Sequence, residues 1–282
     1  MPFKLKVYDN HHLFVKFPPK ILGPYSSYEE ALFKAKDMLD AFIEEHWTNG
    51  SYAVACFNFW EMFGENPVIV PGKKNKLEQF SAATYVSEAA PDIYARLEKQ
   101  NIEIQTHYQE AIKFATEKHT AQKQKVPGTN LPYLMHLSNV AMEILIACSK
   151  NKGFNTAFAV QVALLHDTLE DTLTTFDELK DKFGIRFAQS VSALSKNKNL
   201  PKAQQMQDSI DRIKEMQKEV WAVKLADRIT NLQKPPARWS LKKKKAYHAE
   251  SKLILEELGK GNEYLAKRLE TKIKEYEAYF IS

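Results

Sequence analysis

The sequence predicts a mainly α protein, in which a helical bundle fills the C-terminal two-thirds and a small α+β domain precedes it. Three observations lead there. Short runs that alternate apolar and polar residues, separated by turn residues, occur only near the N-terminus, as half-buried strands require. From roughly residue 88 onward, apolar residues recur at helical spacing in stretches closed by Gly or Pro. Within those later stretches, histidines and carboxylates sit inside otherwise apolar helical runs.

Lys4–Tyr8 and Leu13–Phe17 alternate as strands do, and Asp9-Asn10-His11 between them is turn chemistry, so a hairpin is expected. Ser27 and Glu30 form a capping box. It opens a helix that places Leu32, Ala35, Met38, Leu39 and Phe42 on one face. After the Asn49-Gly50 turn, Ser51–Phe57 and Pro67–Val70 read as further strands. Together these make a domain of residues 1–95 in which no catalytic spacing is visible. His11 and His12 sit at a turn, and Lys73-Lys74-Asn75-Lys76 reads as a loop.

The bundle, residues 100–282, follows. Tyr108, Ala111, Ile112 and Ala115 form a helical stripe, and a loop with Pro127 and Gly128 comes next. Pro132 suits the first turn of the following helix. Val140, Ala141, Ile144, Leu145 and Cys148 give that helix its buried face. A third helix runs from about Asn155 through Thr168. Thr175 and Glu178 form a second capping box for a short helix that Gly184 stops. Glu219–Gln233 is helical until Pro235-Pro236 breaks it. Two more helices complete the chain, the last with Leu265, Leu269, Ile273, Tyr276 and Phe280 at helical spacing.

Composition narrows the class. With 44% hydrophobic and 27% charged residues the chain is ordinary for a soluble globular protein. Its first residues lack the apolar core of a signal peptide. Its longest apolar stretch, Ala157–Leu165, is too short to span a bilayer. Cys56 and Cys148 can build neither a disulfide framework nor a cysteine zinc cage, which favours the reducing cytoplasm. A net charge of +5 suits an anionic small-molecule substrate and calls for neither a stable nucleic-acid partner nor a membrane. Whether copies of the chain assemble is open. The run Lys242-Lys243-Lys244-Lys245 reads first as a solvated helix face.

The chemistry concentrates in Leu164-Leu165-His166-Asp167-Thr168-Leu169-Glu170-Asp171-Thr172. Burying unpaired charge costs several kcal/mol per ion. A cluster of this kind at the end of a core helix therefore needs a compensating cation or a solvent-filled cleft. His166 and Asp167 can grip one ion from the helix end. Glu170 lies four residues after His166 and Asp171 four after Asp167, so a continuing helix would carry each pair on one face. Two carboxylates would then stand just beyond a metal, where a water-activating base belongs. His136 and Asp227, the latter a charge in the otherwise apolar helical run that holds Val223-Lys224-Leu225-Ala226-Asp227-Arg228, are candidates for the remaining ligands. Such a mixed set suits Mn, Fe or Zn better than Ca or Mg. Lys125 and Arg228 are candidates to neutralise phosphate oxygens. Arg228 reads equally as an ion-pair arginine, and Tyr247 as a helix-packing residue.

The flanking residues make the pattern more specific. His119-Thr120-Ala121-Gln122, Pro132-Tyr133-Leu134-Met135-His136 with Val140-Ala141, Ala163–Thr172, Phe183-Gly184 and Lys224-Leu225-Ala226-Asp227-Arg228 with Asn231 resemble the hydrolase domain of the RelA/SpoT alarmone enzymes of the HD superfamily. The likeness is greatest to the single-domain small alarmone hydrolases, and it covers roughly residues 105 to 258. It implies a helical bundle around one Mn ion. His136, His166, Asp167 and Asp227 match the metal ligands of that family. Glu170 and Asp171 match its acidic pair, which positions or deprotonates the attacking water. Asn231, Tyr247 and Lys125 match residues near the substrate. There are departures: Gln124-Lys125 stands where the family usually has Arg-Lys, and Leu137 where it usually has Pro.

The expected activity is removal of pyrophosphate from the 3′ position of (p)ppGpp, in a metal-dependent reaction. Only one helix follows the resemblance, so synthetase activity is not expected. Two alternatives stay open. One is a related phosphohydrolase acting on an adenine alarmone, NADPH or a nucleoside phosphate. The other is a non-catalytic nucleotide-binding or antitoxin-type protein that has kept the bundle.

Overall fold

In a computed structural model that describes residues 2–12, 18–47, 52–71, 79–151 and 153–280, the chain divides into two units, Met1–Ile102 and Glu103–Ser282. Each has its own hydrophobic core.

In the first unit Leu5 and Val7 point inward from β1 (Phe3–Asp9) while Lys4 and Tyr8 face solvent, the alternation of a half-buried strand. β1 is central in an antiparallel sheet of order β2-β1-β3, with β2 at Lys20–Tyr25 and β3 at Glu65–Val70. Leu5 lies opposite Leu22 on one side and Ile69 on the other. α1 (Tyr28–Glu45) lays Tyr28, Ala31 and Ala35 on this sheet face. Its Leu39 and Ile43 pack instead with Cys56 and Trp60 of α2 (Ala53–Phe63) and with Val86 and Ala90 at the start of α3 (Ala82–Ala121).

The capping box at Ser27 forms by half. Ser27 Oγ accepts from Glu30 N at 3.1 Å, but the Glu30 carboxylate reaches back to Ser26 N and Oγ, both at 2.6 Å. The expected strand Leu13–Phe17 lies outside the described residues, and the described hairpin partner of β1 is β2. The expected strand at Ser51–Phe57 is corrected over its described part, because helix α2 begins at Ala53. The run continues to Phe63 without a breaker, and Cys56 and Trp60, four apart, fill one helical face. Packing overrode the local β-like composition.

The second unit takes α3 from Glu103 onward and then α4 (Leu134–Ser149), α5 (Thr156–Leu165), the single turn α6 (Thr168–Asp171), α7 (Phe176–Phe183), α8 (Ile185–Leu194), α9 (Lys202–Lys214), α10 (Lys218–Asn231), α11 (Leu241–Leu258) and α12 (Glu263–Tyr276). Every residue of α5 from Ala157 to Leu165 is buried. A helix apolar on all sides belongs at the centre of a bundle, and α4, α8 and α10 pack around it. Thr175 caps α7 through Glu178 N, and Gly184, at φ +93°, turns the chain into α8. Pro132 falls just before α4 rather than in its first turn, pairing with Lys125 in an isolated bridge. Among the described residues no helix is long and apolar enough to cross a membrane.

Gly64 ends α2 under the Trp60 ring, and a Cβ there would lie 2.2 Å from Trp60 Cδ1. The bulky indole packs in the unit-one core and cannot swing away freely. Gly64→Val should therefore cost about 1–3 kcal/mol, read as a lower denaturation midpoint. An unchanged midpoint would contradict this packing.

Candidate metal centre

The end of α5 builds half of the site by solving a backbone problem. The last carbonyls of a helix lack intrahelical partners. Here His166 Nδ1 donates to Ala163 O at 2.6 Å and Thr168 Oγ1 donates to Leu165 O at 2.7 Å. The helix is interrupted at His166-Asp167 and resumes as α6, so the continuous helix expected through Thr168 is corrected to two pieces. Asp171 N still bonds Asp167 O at 2.9 Å, which preserves their four-residue spacing. Because Nδ1 is used on the backbone, Nε2 of His166 carries the free lone pair.

His136 comes from the first turn of α4 and Asp227 from the buried face of α10. Thr230 Oγ1 donates to Asp227 O at 2.9 Å, and its oxygen lies 3.3 Å from His136 Nδ1. The hydroxyl proton is thus engaged, and His136 Nδ1–H is the donor to Thr230. Both imidazoles are held in the tautomer that presents Nε2. Supporting bonds of this type orient metal ligands.

The four groups converge. His136 Nε2 lies 3.4 Å from His166 Nε2, 3.6 Å from Asp167 Oδ2 and 3.4 Å from Asp227 Oδ1. His166 Nε2 lies 3.0 Å from Asp167 Oδ2 and 3.6 Å from Asp227 Oδ1. All four ligand atoms lie within 4.8 Å of one another. Donors bonded to one ion at about 2.0–2.2 Å stand roughly 3–3.6 Å apart, so the spacing fits a single cation. Two neutral imidazoles and two carboxylates form a donor set for a divalent transition ion. Tyr133 OH donates to Asp167 Oδ2, and Asn231 Nδ2 donates to Asp227 Oδ1 at 2.5 Å.

Electrostatics express the same frustration. Burial pushes His166 toward its neutral form, but Asp167 and Asp227 overcome it and hold the imidazole well above its usual range. His136 is raised for the same reasons. Burial opposes ionisation of Asp227, yet Lys224 and the two histidines hold it well below the carboxylate range.

Beside His136 opens a cavity of about 270 Å³. Asn231, Tyr247 and Trp239 line it, with Met135, Pro235 and Pro236 supplying an apolar wall. Asn231 and Tyr247 therefore share one pocket next to the cluster. Glu170 and Asp171 share α6. Glu170 Oε2 accepts from Lys196 N at 2.9 Å, and Asp171 Oδ2 accepts from Gln124 Nε2 at 2.8 Å. Burial and the neighbouring Asp167 raise the Asp171 carboxyl. Lys125 is exposed, with Nζ 3.3 Å from Asn130 Oδ1, and the adjoining Val126 and Pro127 line the pocket.

Arg228, a candidate phosphate contact, is placed elsewhere. It is 3% exposed, donates to Glu250 at 2.8 Å, and stacks 4.1 Å from the centre of the Tyr247 ring. Sequence reasoning missed Tyr133, His119 and Tyr276 as parts of the site. Tyr133 and His119 stood within the quoted motifs, whereas Tyr276 showed only helical periodicity.

These elements define a class: helical bundles in which two histidines and two aspartates, able to hold a metal ion, converge at the junction of three helices. Residues 111–261 match the family described as HD domain, and the chain belongs to that family. The guanosine-3′,5′-bis(diphosphate) 3′-pyrophosphohydrolase MESH1 of Danio rerio is 33% identical over 166 residues, covering 57% of this chain and 89% of the relative. The Homo sapiens protein of that name is 32% identical over 171 residues, covering 59% and 92%. A guanosine-3′,5′-bis(diphosphate) 3′-pyrophosphohydrolase of Aquifex aeolicus is 44% identical over 88 residues, 31% of this chain and 11% of that protein. The fold is shared with a solved structure described as a metazoan ortholog of SpoT that hydrolyzes ppGpp. Its TM-score is 0.53 at 23% identity, over 60% of this chain and 94% of that one.

Metal uptake should compete with protons. The folded pKa values of His136 and His166 are raised above the unfolded value of about 6.5. Without metal, their protonation therefore adds stability fully below about pH 6.5 and loses it as pH rises through the folded values. Metal needs both rings neutral, so affinity should fall as pH is lowered. Binding near pH 7 should release protons, read by calorimetry in buffers of different ionisation enthalpy. A buffer-independent heat would contradict this.

Proposed function

We propose that the chain is a metal-dependent (p)ppGpp 3′-pyrophosphohydrolase whose active site is the centre at His136, His166, Asp167 and Asp227. One observation supports this most: the cage adjoins a cavity of about 270 Å³ with an acidic pair on the neighbouring turn, in a chain whose relatives bear that activity in their names. Mn is the ion proposed, consistent with mixed nitrogen and oxygen donors. The two free cysteines support a reducing cytoplasmic setting.

A divalent ion held by the four ligands supplies charge neutralisation and acidifies water. The residues of the chain do the rest. Glu170 and Asp171, on the turn immediately after Asp167, are proposed to take the proton of the attacking water. Water oxygen bonds to the phosphorus attached to the ribose 3′ oxygen, and the bond from that phosphorus to the 3′ oxygen breaks. The 3′ oxygen takes up a proton, and the products are pyrophosphate with GDP or GTP. Asn231 is proposed to contact the ribose and phosphate, Tyr247 to pack on the nucleoside, and Lys125 to meet phosphate at the rim. Arg228, clamped by Glu250, is proposed to hold the Tyr247 ring rather than to touch substrate. A second reading, another nucleotide as substrate, draws on Gln124 being tied to Asp171 and His119 instead of facing the pocket as a planar cation.

Purified protein with Mn should convert ppGpp to GDP and pyrophosphate, followed by chromatography beside GTP, NADPH and an adenine alarmone. Asp167→Ala should abolish turnover, and Glu170→Gln should lower kcat about 10²-fold or more. Intact ppGpp alongside cleavage of another nucleotide would overturn the substrate assignment.

A further inference from the structure

We infer that Gln124 is a positioning residue, which fixes the Asp171 carboxylate by bridging it to the immobile ring of His119. The inference rests on the hydrolase reading above and extends it to a residue outside the ligand and acid sets.

Two hydrogen bonds make the bridge. His119 Nδ1 lies 2.5 Å from Gln124 Oε1, and Gln124 Nε2 donates to Asp171 Oδ2 at 2.8 Å. His119 is 2% exposed and stacks on Tyr133, with ring centres 4.7 Å apart and planes 27° from parallel. The Tyr133 hydroxyl in turn donates to the metal ligand Asp167. The chain of contacts thus runs from the cage, through two stacked rings and one amide, back to the carboxylate on α6.

An amide at position 124 supplies one donor and one acceptor, the two ends this bridge uses. A carboxylate accepts only, so the nitrogen end of Gln124 must face Asp171. The oxygen end is then left for the ring, which must donate from Nδ1. His119 Nε2 is buried without a hydrogen-bond partner in the structure, as expected of the ring nitrogen left without a proton. An arginine would have to donate to both partners, which would switch His119 to the tautomer that accepts at Nδ1 and leave its proton on the buried, unpartnered Nε2. Asp171 itself sits on a turn of four residues. Its side chain would sample several rotamers without a fixed donor, and a misplaced base loses rate more than affinity.

A double-mutant cycle tests this on steady-state turnover. Gln124→Ala should lower kcat about tenfold and change KM less than about twofold. Gln124→Glu, which keeps an acceptor for His119 but repels Asp171, should lose at least as much. If Gln124 acts through Asp171, the double variant Gln124→Ala/Asp171→Ala should be no slower than Asp171→Ala alone. A KM increase at unchanged kcat would overturn the inference by making Gln124 a substrate contact. Multiplying losses in the cycle would also overturn it. A readout independent of turnover is the side-chain amide NMR signal of Gln124 in metal-free protein. Asp171→Ala should shift it, and an unmoved signal would count against the bridge. Wild type on ppGpp is the control for the substrate assignment. If wild type cleaves only another nucleotide, that assignment falls and the cycle is run on that nucleotide. If it cleaves none, the inference falls with it.

Discussion

Two carboxylates and two imidazoles meet inside an apolar bundle, where burial and mutual attraction pull their protonation in opposite directions. Burial disfavours every charged form, whereas mutual attraction favours imidazolium beside carboxylate. A divalent cation would resolve the conflict, because it would accept both Nε2 lone pairs and balance both carboxylates. The surrounding structure follows from that constraint. α5, buried from Ala157 to Leu165, delivers His166 and Asp167 to the centre. α4 and α10 pack on it with His136 and Asp227 at matching heights.

Backbone needs and site chemistry are met by the same atoms. The carbonyls left over at the end of α5 take the Nδ1 proton of His166, which leaves Nε2 for the centre. Thr230 caps the Asp227 carbonyl and orients His136 with one hydroxyl. Asn231, one turn beyond Asp227, holds the carboxylate while also lining the pocket. Substitutions at these supporting residues would disturb ligand orientation as well as helix ends.

Much of this was legible in the sequence, for identifiable reasons. Capping residues at Ser27 and Thr175 act over three residues, so their helices were readable locally. The ligand quartet was readable because charge inside an apolar helical run needs a reason. Elements decided by distant packing were not. α2 looked strand-like until Cys56 and Trp60 met the α1 face. The break at His166 depends on side chains that take up backbone carbonyls, which periodicity does not report. Arg228 became an ion-pair residue only when α11 brought Glu250 to it. Gln124 was visible as a departure from the family pattern, but its bonds to His119 and Asp171 bring together residues from separate segments.

The central claim is that the four side chains hold one transition ion. Anomalous X-ray scattering from crystals grown with Mn tests it most directly. The account predicts one peak per chain, bonded to His136 Nε2, His166 Nε2 and the carboxylates of Asp167 and Asp227, and lost in Asp227→Ala. A peak held by other residues, or none at this cluster, would contradict it.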